Sequence, residues 1–226
     1  MLKAILFDFD GTIADSIDAI CAGVNVVMKN RGFPLHDYNA VLGFINHGPR
    51  ELMRKALPEQ YRQDEAYLDG AYAEYNEAYG KVYHITDRAY DGIPEAVRQL
   101  HEAGYLIGVL SNKQDAFVKL LTRQVLEDGT WETAQGCVPG KPTKPDPFLT
   151  NLVLDELGVR ADECVMIGDS DVDIETGKRA GMPVISVAWG FRDEDFLRAH
   201  GAEYIAHNPQ EMLSLIREIG ERMAQK

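Results

Sequence analysis

The chain has 226 residues, of which 45% are hydrophobic and 26% charged, a composition typical of a globular protein rather than a disordered one. Its net charge of −13 argues against a general nucleic-acid binder, because such proteins need a basic face to neutralise phosphates. A small phosphorylated metabolite is still compatible with that charge, since a bound cation can reverse the field inside one pocket. The three cysteines, Cys21, Cys137 and Cys164, are scattered and favour neither a disulfide framework nor a zinc site.

The N-terminal segment MLKAILFDFD does not have the pattern of a secretory signal, because two aspartates interrupt its short apolar run. No stretch approaches the roughly 18 apolar residues of a membrane span. We therefore expect a soluble, cytoplasmic protein with no membrane partner. The sequence is compatible with either a monomer or a homodimer.

Four short apolar runs predict buried β-strands. They are residues 4–7 (AILF), 105–110 (YLIGVL), 164–167 (CVMI) and 184–187 (VISV). Helical periodicity at residues 94–103 and 147–157 precedes the second and third runs. Helices that alternate with wholly apolar strands predict an α/β fold with a parallel sheet.

Residues 16–87 break this alternation, since they contain helical patterns but no convincing strand. The patterns lie at residues 17–29, 49–56 and 64–79. We expect a small all-helical domain inserted after the first strand, and a core formed by residues 1–15 and 88–226. Turn residues at both ends of the insertion are candidate hinges.

Polar side chains follow three of the predicted strands. They are Asp8 and Asp10 after the first strand, Ser111 and Asn112 after the second, and Asp169 and Ser170 after the third. Ligands of open α/β sheets bind beyond the carboxyl ends of the strands. One polar strand end would be ordinary turn chemistry, but three of them predict a binding site.

The motif DFDGT begins with Asp8, directly after the first predicted strand. A carboxylate in this place can attack phosphorus and form an aspartyl-phosphate, and Asp10 can protonate the leaving alcohol and later deprotonate water. Gly11 permits a sharp turn, and Thr12 offers a hydroxyl and an amide to a phosphate. A plain Asx-turn explains one of the two aspartates easily and both of them less well.

Asp169 and Asp173 are candidate metal ligands. Two carboxylates and a phosphate need a counter-ion when they come together, and Mg²⁺ suits a site of few carboxylates plus substrate oxygens. If a helix begins near residue 170, Asp169 and Asp173 lie on one side of its first turn, whereas Asp171 points elsewhere. Both residues also fit a helix start, Asp169 as a cap and Asp173 through the helix dipole.

Two further signals are weaker when taken alone. Ser111 and Asn112 supply neutral donors for a phosphate oxygen or simply form a turn, and Lys113 is either a nearby cation or a solvated side chain. In GKPTKPDP, the prolines on both sides of Lys144 aim its side chain, which could neutralise Asp8. Lys141 lies in the same segment, and spacing does not choose between the two lysines.

Taken together and in this order, the motifs resemble those of the haloacid dehalogenase superfamily of phosphohydrolases. They are DFDGT at residues 8–12, Ser111-Asn112, Lys144, and Gly168-Asp169-Ser170 with Asp173. The resemblance implies a Rossmann-like core with an inserted helical cap.

The resemblance also implies roles for single residues. Asp8 would be the nucleophile, Asp10 the acid/base, and Ser111 a phosphate ligand. Lys144, rather than Lys141, would be the lysine of the motif. Mg²⁺ would be held by Asp8, the backbone carbonyl of Asp10 and Asp169, with support from Asp173.

Within the superfamily the chain is similar to the phosphoglycolate phosphatase-like group, on the segments DFDGTIADS, GDSDVDIETGKRAG and WGFRDEDFLRAHGAEYIAHNPQEML. This similarity implies a Mg²⁺-dependent phosphatase of a small phosphorylated metabolite, with 2-phosphoglycolate as the first candidate. In the inserted domain, Arg50 and Arg54 are candidates for binding an anionic tail of the substrate, together with His47. Ordinary helix-surface charge explains these cations equally well.

Several other functions share this scaffold. A dehalogenase has no leaving alcohol to protonate, so Asp10 argues against it. A pyrophosphatase, a nucleotidase and a phosphohexomutase remain alternatives with the same aspartates. A non-catalytic binder of phosphorylated ligands would be expected to have lost at least one catalytic position, and none is lost here.

Overall fold

Within residues 1–85 and 88–225, which a computed structural model describes, six strands form one sheet. The strands are Ala4–Phe7 (β1), Leu106–Gln114 (β2), Thr133–Cys137 (β3), Cys164–Gly168 (β4), Val184–Val187 (β5) and Tyr204–Ala206 (β6). Every neighbouring pair is parallel, and the strand order is β3-β2-β1-β4-β5-β6. This order is Rossmann-like, so the predicted α/β fold with a parallel sheet is confirmed.

The central strand β1 fixes where a site can form. Its four apolar side chains are fully buried, as expected of a strand that is covered on both faces. It pairs with β2 on one side and with β4 on the other, and Phe7 lies opposite Ile167. The strand order reverses between β1 and β4, which is the point where open α/β sheets bind ligands beyond the strand ends.

A group of helices lies between β1 and β2, and after β2 helices alternate with strands. Several of them begin at a capping residue, such as Asp146, Ser170 and Asn208, whose side chain accepts a backbone N–H of the first turn. The described helices are Ile17–Asn30 (α1), Tyr38–Leu42 (α2), Pro49–Ala56 (α3), Glu65–Val82 (α4), Ile93–Glu102 (α5), Asp115–Val125 (α6), Pro147–Leu157 (α7), Asp171–Ala180 (α8), Glu194–Ala199 (α9) and Pro209–Ala224 (α10).

One face of the sheet is buried by α7. Leu149 and Val153 of this helix form a buried cluster with Leu6 of β1 and Met166 of β4. Leu6 precedes Asp8 by two residues, and Met166 precedes Asp169 by three. The packing of this cluster therefore supports the position of both aspartates.

The chain divides into two compact units, one made of Met1–Ala14 and Arg88–Lys226, the other of Asp15–Asp87. We call them the catalytic unit and the helical unit. The described residues of the helical unit form α1–α4 and two short 3-10 turns, without a strand. The predicted division, with residues 16–87 set apart from 1–15 and 88–226, differs by one residue. That the helical unit acts as a cap stays a prediction.

The catalytic unit holds the two ends of this insertion side by side. Ala14 and Ala89 form an antiparallel bridge, and the N–H of Tyr90 donates to the carbonyl oxygen of Ile13 at 2.8 Å. The chain therefore leaves and re-enters the catalytic unit at one place.

Strand β2 is longer than predicted. It continues past residue 110 to Gln114, because the chain bulges after Leu110 and then pairs again with β3. The apolar runs do not predict β3 (TAQGC) or β6 (YIA), since one is polar and the other is only three residues long. The helical patterns named above also do not include α2, α6, α9 or α10.

No helix among the described residues is long and apolar enough to cross a membrane.

Replacing Leu6 with Ala tests the packing beneath the site. Leu6 is fully buried, so we expect Leu6→Ala to lower the free energy of unfolding by about 2–5 kcal/mol. Urea denaturation followed by circular dichroism measures this change. Leu120→Ala, at an exposed position of α6, should change stability by less than about 0.5 kcal/mol. Equal effects of the two substitutions would contradict the assignment of this core.

Candidate active site

The carboxyl ends of β1 and β4 bring Asp8 and Asp169 together. The N–H of Asp8 donates to the carbonyl oxygen of Ile167 at 2.9 Å, which extends the β1–β4 pairing by one residue. Both carboxylates are buried, as is the carboxylate of Asp173 in the first turn of α8. Ligand atoms of these three residues all lie within 4.8 Å of one another. The structure thus brings together the acids that the sequence placed after separate strands.

Lys144 lies between two of these acids. Its Nζ is 3.0 Å from Oδ1 of Asp8 and 2.7 Å from Oδ1 of Asp173, and its side chain is 1% exposed. Burial disfavours the charged ammonium, but Asp173 and Asp8 outweigh it and raise the pKa of Lys144 above its ordinary value. Lys141 instead lies over the ring of Phe148, at 5.6 Å from its centre. Of the two candidate lysines, Lys144 is therefore the one beside Asp8.

Asn112 holds the backbone of Lys144 in place. Its Oδ1 accepts the N–H of Lys144 at 2.7 Å, and its Nδ2 donates to the carbonyl oxygen of the same residue at 3.0 Å. This pair of bonds fixes the segment from which the lysine side chain enters the site. The sequence did not predict this role for Asn112, whose contact with a phosphate stays a prediction.

The carboxylate of Asp169 fits a tight cradle of backbone. Its Oδ2 accepts the N–H of Phe191 at 2.8 Å, and its Oδ1 accepts the hydroxyl of Thr12 at 3.4 Å. Added Cβ atoms on Gly11 and Gly190 would lie 2.3 Å and 2.4 Å from atoms of Asp169. Gly11 also has a φ of +82°, so both close approach and backbone conformation require glycine there. Gly190 is a site residue that the sequence did not reveal.

A capping box orients Asp173. Ser170 is the N-cap of α8, and its hydroxyl donates to Oδ2 of Asp173 at 2.6 Å. The N–H of Ser170 donates to the same oxygen at 3.2 Å, while Oδ1 of Asp173 faces Lys144. Asp173 therefore belongs both to the helix start and to the acid cluster. These are the two alternatives that the sequence left open for this residue.

The charges of the cluster are not balanced by the protein. If all are ionised, three carboxylates and the ammonium of Lys144 leave two negative charges. Burial, followed by repulsion from Asp173, raises the pKa of Asp8 to about 6 against the attraction of Lys144. Burial, then Asp173 and Asp8, raise the pKa of Asp169 well above its ordinary value. A set of buried carboxylate oxygens with this charge fits a hard divalent cation.

Asp10 pairs with a lysine that the sequence left unassigned. Nζ of Lys113 is 2.8 Å from Oδ1 of Asp10, and the two side chains are 6% and 20% exposed. Lys113 is thus a buried partner of the predicted acid/base rather than a solvated lysine. The sequence indicated a role for Lys113 only through its position in the polar segment that follows the second predicted strand.

The two arginines of the helical unit are engaged with acids of the same unit. Arg50 binds Glu65 at 2.6 Å and Asp69 at 2.7 Å, and Arg54 binds Glu51 and Glu65, both at 2.9 Å. This network joins α3 to α4. A contact of Arg50 or Arg54 with substrate stays a prediction, as does the contact of Thr12 with a phosphate.

Comparison with known proteins places these residues in a family context. The model of the haloacid dehalogenase-like hydrolases matches residues 5–187, a segment that spans all the acids described above. A phosphoglycolate phosphatase of Xanthomonas campestris pv. campestris is 28% identical over 214 residues, covering 92% of this chain and 94% of that protein. An N-acetylmuramic acid 6-phosphate phosphatase of Pseudomonas aeruginosa is 30% identical over 219 residues, covering 95% of both chains.

A solved structure extends this likeness to three dimensions. It comes from Lactobacillus delbrueckii subsp. bulgaricus and carries a provisional phosphoglycolate phosphatase name. The TM-score is 0.79 at 29% identity, and the match covers 95% of this chain and 98% of the other.

Binding of Mg²⁺ should depend on pH through the carboxylates of the cluster. Without metal, folded Asp8 keeps its proton between the ordinary pKa of 3.8 and about 6, so its contribution favours folding at low pH and is lost as pH rises through that window. A cation needs the ionised form instead. We therefore expect Mg²⁺ to raise Tm more at about pH 7.5 than at about pH 5, as measured by thermal unfolding.

Two neighbouring aspartates provide a matched control for this measurement. Asp169→Asn removes a carboxylate of the cluster and should abolish the Mg²⁺-dependent rise in Tm. Asp171→Asn, in the same turn of α8 but outside the cluster, should leave the rise unchanged. A rise of the same size at both pH values, or its loss in Asp171→Asn, would contradict a metal site at these acids.

Proposed function

The chain belongs to the haloacid dehalogenase-like hydrolases and is a phosphoric monoester hydrolase, and we propose that it is a Mg²⁺-dependent phosphatase of a small phosphate monoester. We propose that the reaction passes through a phosphorylated Asp8 and that 2-phosphoglycolate is the first candidate substrate. The observation that carries the proposal is the meeting of Asp8, Asp169, Asp173 and Lys144 at the reversal point of the sheet.

The position of Asp8 supports its role as the nucleophile. Its Oδ1 accepts the N–H of Phe9 at 2.7 Å and lies 3.0 Å from Nζ of Lys144. These two contacts orient the carboxylate, so that Oδ2 can attack the phosphorus atom of a bound monoester. The new bond joins Oδ2 to phosphorus, and the bond from phosphorus to the substrate's alcohol oxygen breaks. Lys144 offsets negative charge as it develops on the phosphoryl oxygens.

Asp10 completes the two half-reactions by moving protons. In the first, its carboxyl gives a proton to the departing alcohol oxygen. In the second, its carboxylate takes a proton from the water that attacks phosphorus, and the bond to Asp8 breaks. Phosphate leaves, Asp8 returns to its carboxylate form, and Asp10 is protonated again. The cycle consumes one water and returns every protein group to its starting state.

Asp8 and Asp169 would hold the metal directly, together with the backbone carbonyl of Asp10, and Asp173 would support them. The cation would supply charge neutralisation for a nucleophile and a phosphate that otherwise repel each other. Burial, followed by repulsion among these acids, raises the pKa values of Asp8 and Asp169, and a cation at this place would offset both effects, which supports this assignment.

The names of the relatives narrow the substrate class. One relative is a phosphatase of phosphoglycolate and another of N-acetylmuramic acid 6-phosphate. Both compounds join a phosphate monoester to a carboxylic acid, so we propose a phosphorylated organic acid as substrate. More of the relatives are named as phosphatases of phosphoglycolate, so 2-phosphoglycolate is the first candidate. N-acetylmuramic acid 6-phosphate is the second candidate. Direct comparison of kcat/KM for the two compounds decides between them.

Replacing Asp8 with Asn should abolish turnover and preserve the fold, since it removes only the nucleophilic oxygen. We expect kcat with Mg²⁺ to fall by about 10⁴-fold or more. Release of phosphate from 2-phosphoglycolate and from an aryl phosphate measures the loss, and circular dichroism checks the fold. Asp171→Asn is the matched control and should retain activity. Near-normal turnover by Asp8→Asn would exclude the aspartyl-phosphate route.

Truncating Arg50 or Arg54 tests whether the helical unit binds the acidic part of the substrate. If it does, Arg50→Ala and Arg54→Ala should raise KM for 2-phosphoglycolate by about tenfold and KM for an aryl phosphate much less. Steady-state kinetics with both substrates measure the difference. Arg98→Ala, an exposed arginine of α5 paired with Glu95, is the control. Equal changes on both substrates would mean that these arginines serve only the ion-pair network.

A further inference from the structure

A bulge in β2 contains three consecutive residues that lie near groups of the site. Leu110 pairs with Gln135 and Gln114 pairs with Cys137, so four steps along β2 match two steps along β3. Ser111, Asn112 and Lys113 thus lie opposite the single residue Gly136, which gives β2 two residues in excess. An extra stretch of this kind turns side chains in directions that a regular strand does not allow.

Gly136 of β3 makes room for this bulge. A Cβ on Gly136 would lie 2.5 Å from Cα of Asp115 and 2.6 Å from the carbonyl oxygen of Lys113. The N–H of Gly136 donates to Oδ1 of Asp115 at 3.1 Å. The hydroxyl oxygen of Ser111 accepts the N–H of Lys113 at 3.3 Å inside the bulge. The backbone around Lys113 is therefore fixed from both sides.

Each residue of the bulge contacts a different group of the site. The side chain of Ser111 acts on Asp8, where it lowers the pKa of the carboxyl against the larger effect of burial, and Asn112 holds the backbone of Lys144. Lys113 pairs with Asp10 at 2.8 Å. The contacts of Ser111 and Asn112 thus involve the proposed nucleophile and Lys144. The contact of Lys113 involves Asp10, the proposed acid/base.

The pair of Lys113 and Asp10 is not an ordinary surface ion pair. The lysine side chain is 6% exposed, and its Nζ lies 5.8 Å from the centre of the Phe9 ring. A buried ammonium is costly unless it is paired, so the ion pair with Asp10 stabilises the charged lysine in this position. The side chain of Asp10 is 20% exposed, and the ion pair restricts the rotamers that its carboxyl can adopt.

We propose that Lys113 is a positioning residue that holds the carboxyl of Asp10 where the leaving oxygen of the substrate departs. A general acid contributes only when it lies within hydrogen-bond reach of the atom that it protonates. Lys113 fixes one oxygen of Asp10 and thereby directs the other toward the site. This inference rests on the proposed role of Asp10 as the acid, and it adds a residue to that reaction.

A comparison of leaving groups tests the inference. 2-Phosphoglycolate releases an alcohol that needs a proton, whereas p-nitrophenyl phosphate releases a stable phenolate that does not. We expect Lys113→Met to lower kcat/KM about 10–100-fold for 2-phosphoglycolate and less than about threefold for p-nitrophenyl phosphate. The ratio kcat/KM is used because it contains only steps up to cleavage of the substrate. A glycerol phosphate replaces 2-phosphoglycolate if the latter is not turned over.

Three further variants make the result specific. Asp10→Asn should show the same bias between leaving groups, and adding Lys113→Met to it should cause little further loss. Lys113→Arg keeps a cation for Asp10 and should lose less than Lys113→Met does on the alkyl phosphate. Lys3→Met removes a lysine paired with Glu163 at 2.7 Å, near the start of β1, and should show no bias. Circular dichroism checks each fold, and Lys113→Gln replaces Lys113→Met if that variant does not fold.

The outcomes separate this inference from the proposed function. One outcome is that Asp10→Asn lowers kcat/KM more for the alkyl phosphate than for the aryl phosphate, while Lys113→Met lowers kcat/KM for both substrates equally or for neither. In that case Lys113 does not position the acid and the inference is overturned. If Asp10→Asn itself shows no bias, the proposed acid role fails and the inference fails with it. Loss by Lys113→Arg equal to that of Lys113→Met would also contradict an ion-paired role.

Discussion

Repulsion between buried carboxylates is the constraint on which the catalytic unit depends. Asp8, Asp169 and Asp173 lie within 4.8 Å of one another, and only the ammonium of Lys144 enters this group in the described residues. The surrounding structure answers that repulsion with fixed donors, namely the N–H groups of Phe9 and Phe191 and the capping box at Ser170. These donors keep the cluster in place, and its carboxylate oxygens fit the divalent cation that we propose there.

Two levels of organisation produce this arrangement. The parallel sheet delivers Asp8 and Asp169 at neighbouring strand ends, which is a property of topology. The finer placement comes from local irregularities, including the turn at Gly11, the close approach of Gly190 and the bulge of β2. Regular secondary structure therefore decides which residues meet, and departures from it decide how their side chains are aimed.

The same division explains what could be predicted from the sequence. β1, β4 and β5 are apolar runs, so periodicity reveals them, and with them the positions of Asp8 and Asp169. The choice of Lys144 over Lys141 and the pairing of Lys113 depend on contacts across more than 30 and 100 residues, respectively, which spacing does not contain. β3 was missed because TAQGC is neither apolar nor alternating, and Gly190 because close approach is a property of the folded chain.

The bridge between Ala14 and Ala89 has an evolutionary consequence. Because the insertion begins and ends at one point, its length and internal packing can change while the strand order and the acids of the sheet stay as they are. Different insertions can in this way be attached to the same reaction centre at one connection point. Such an architecture allows one contiguous segment to be exchanged with no requirement for compensating substitutions among the aspartates.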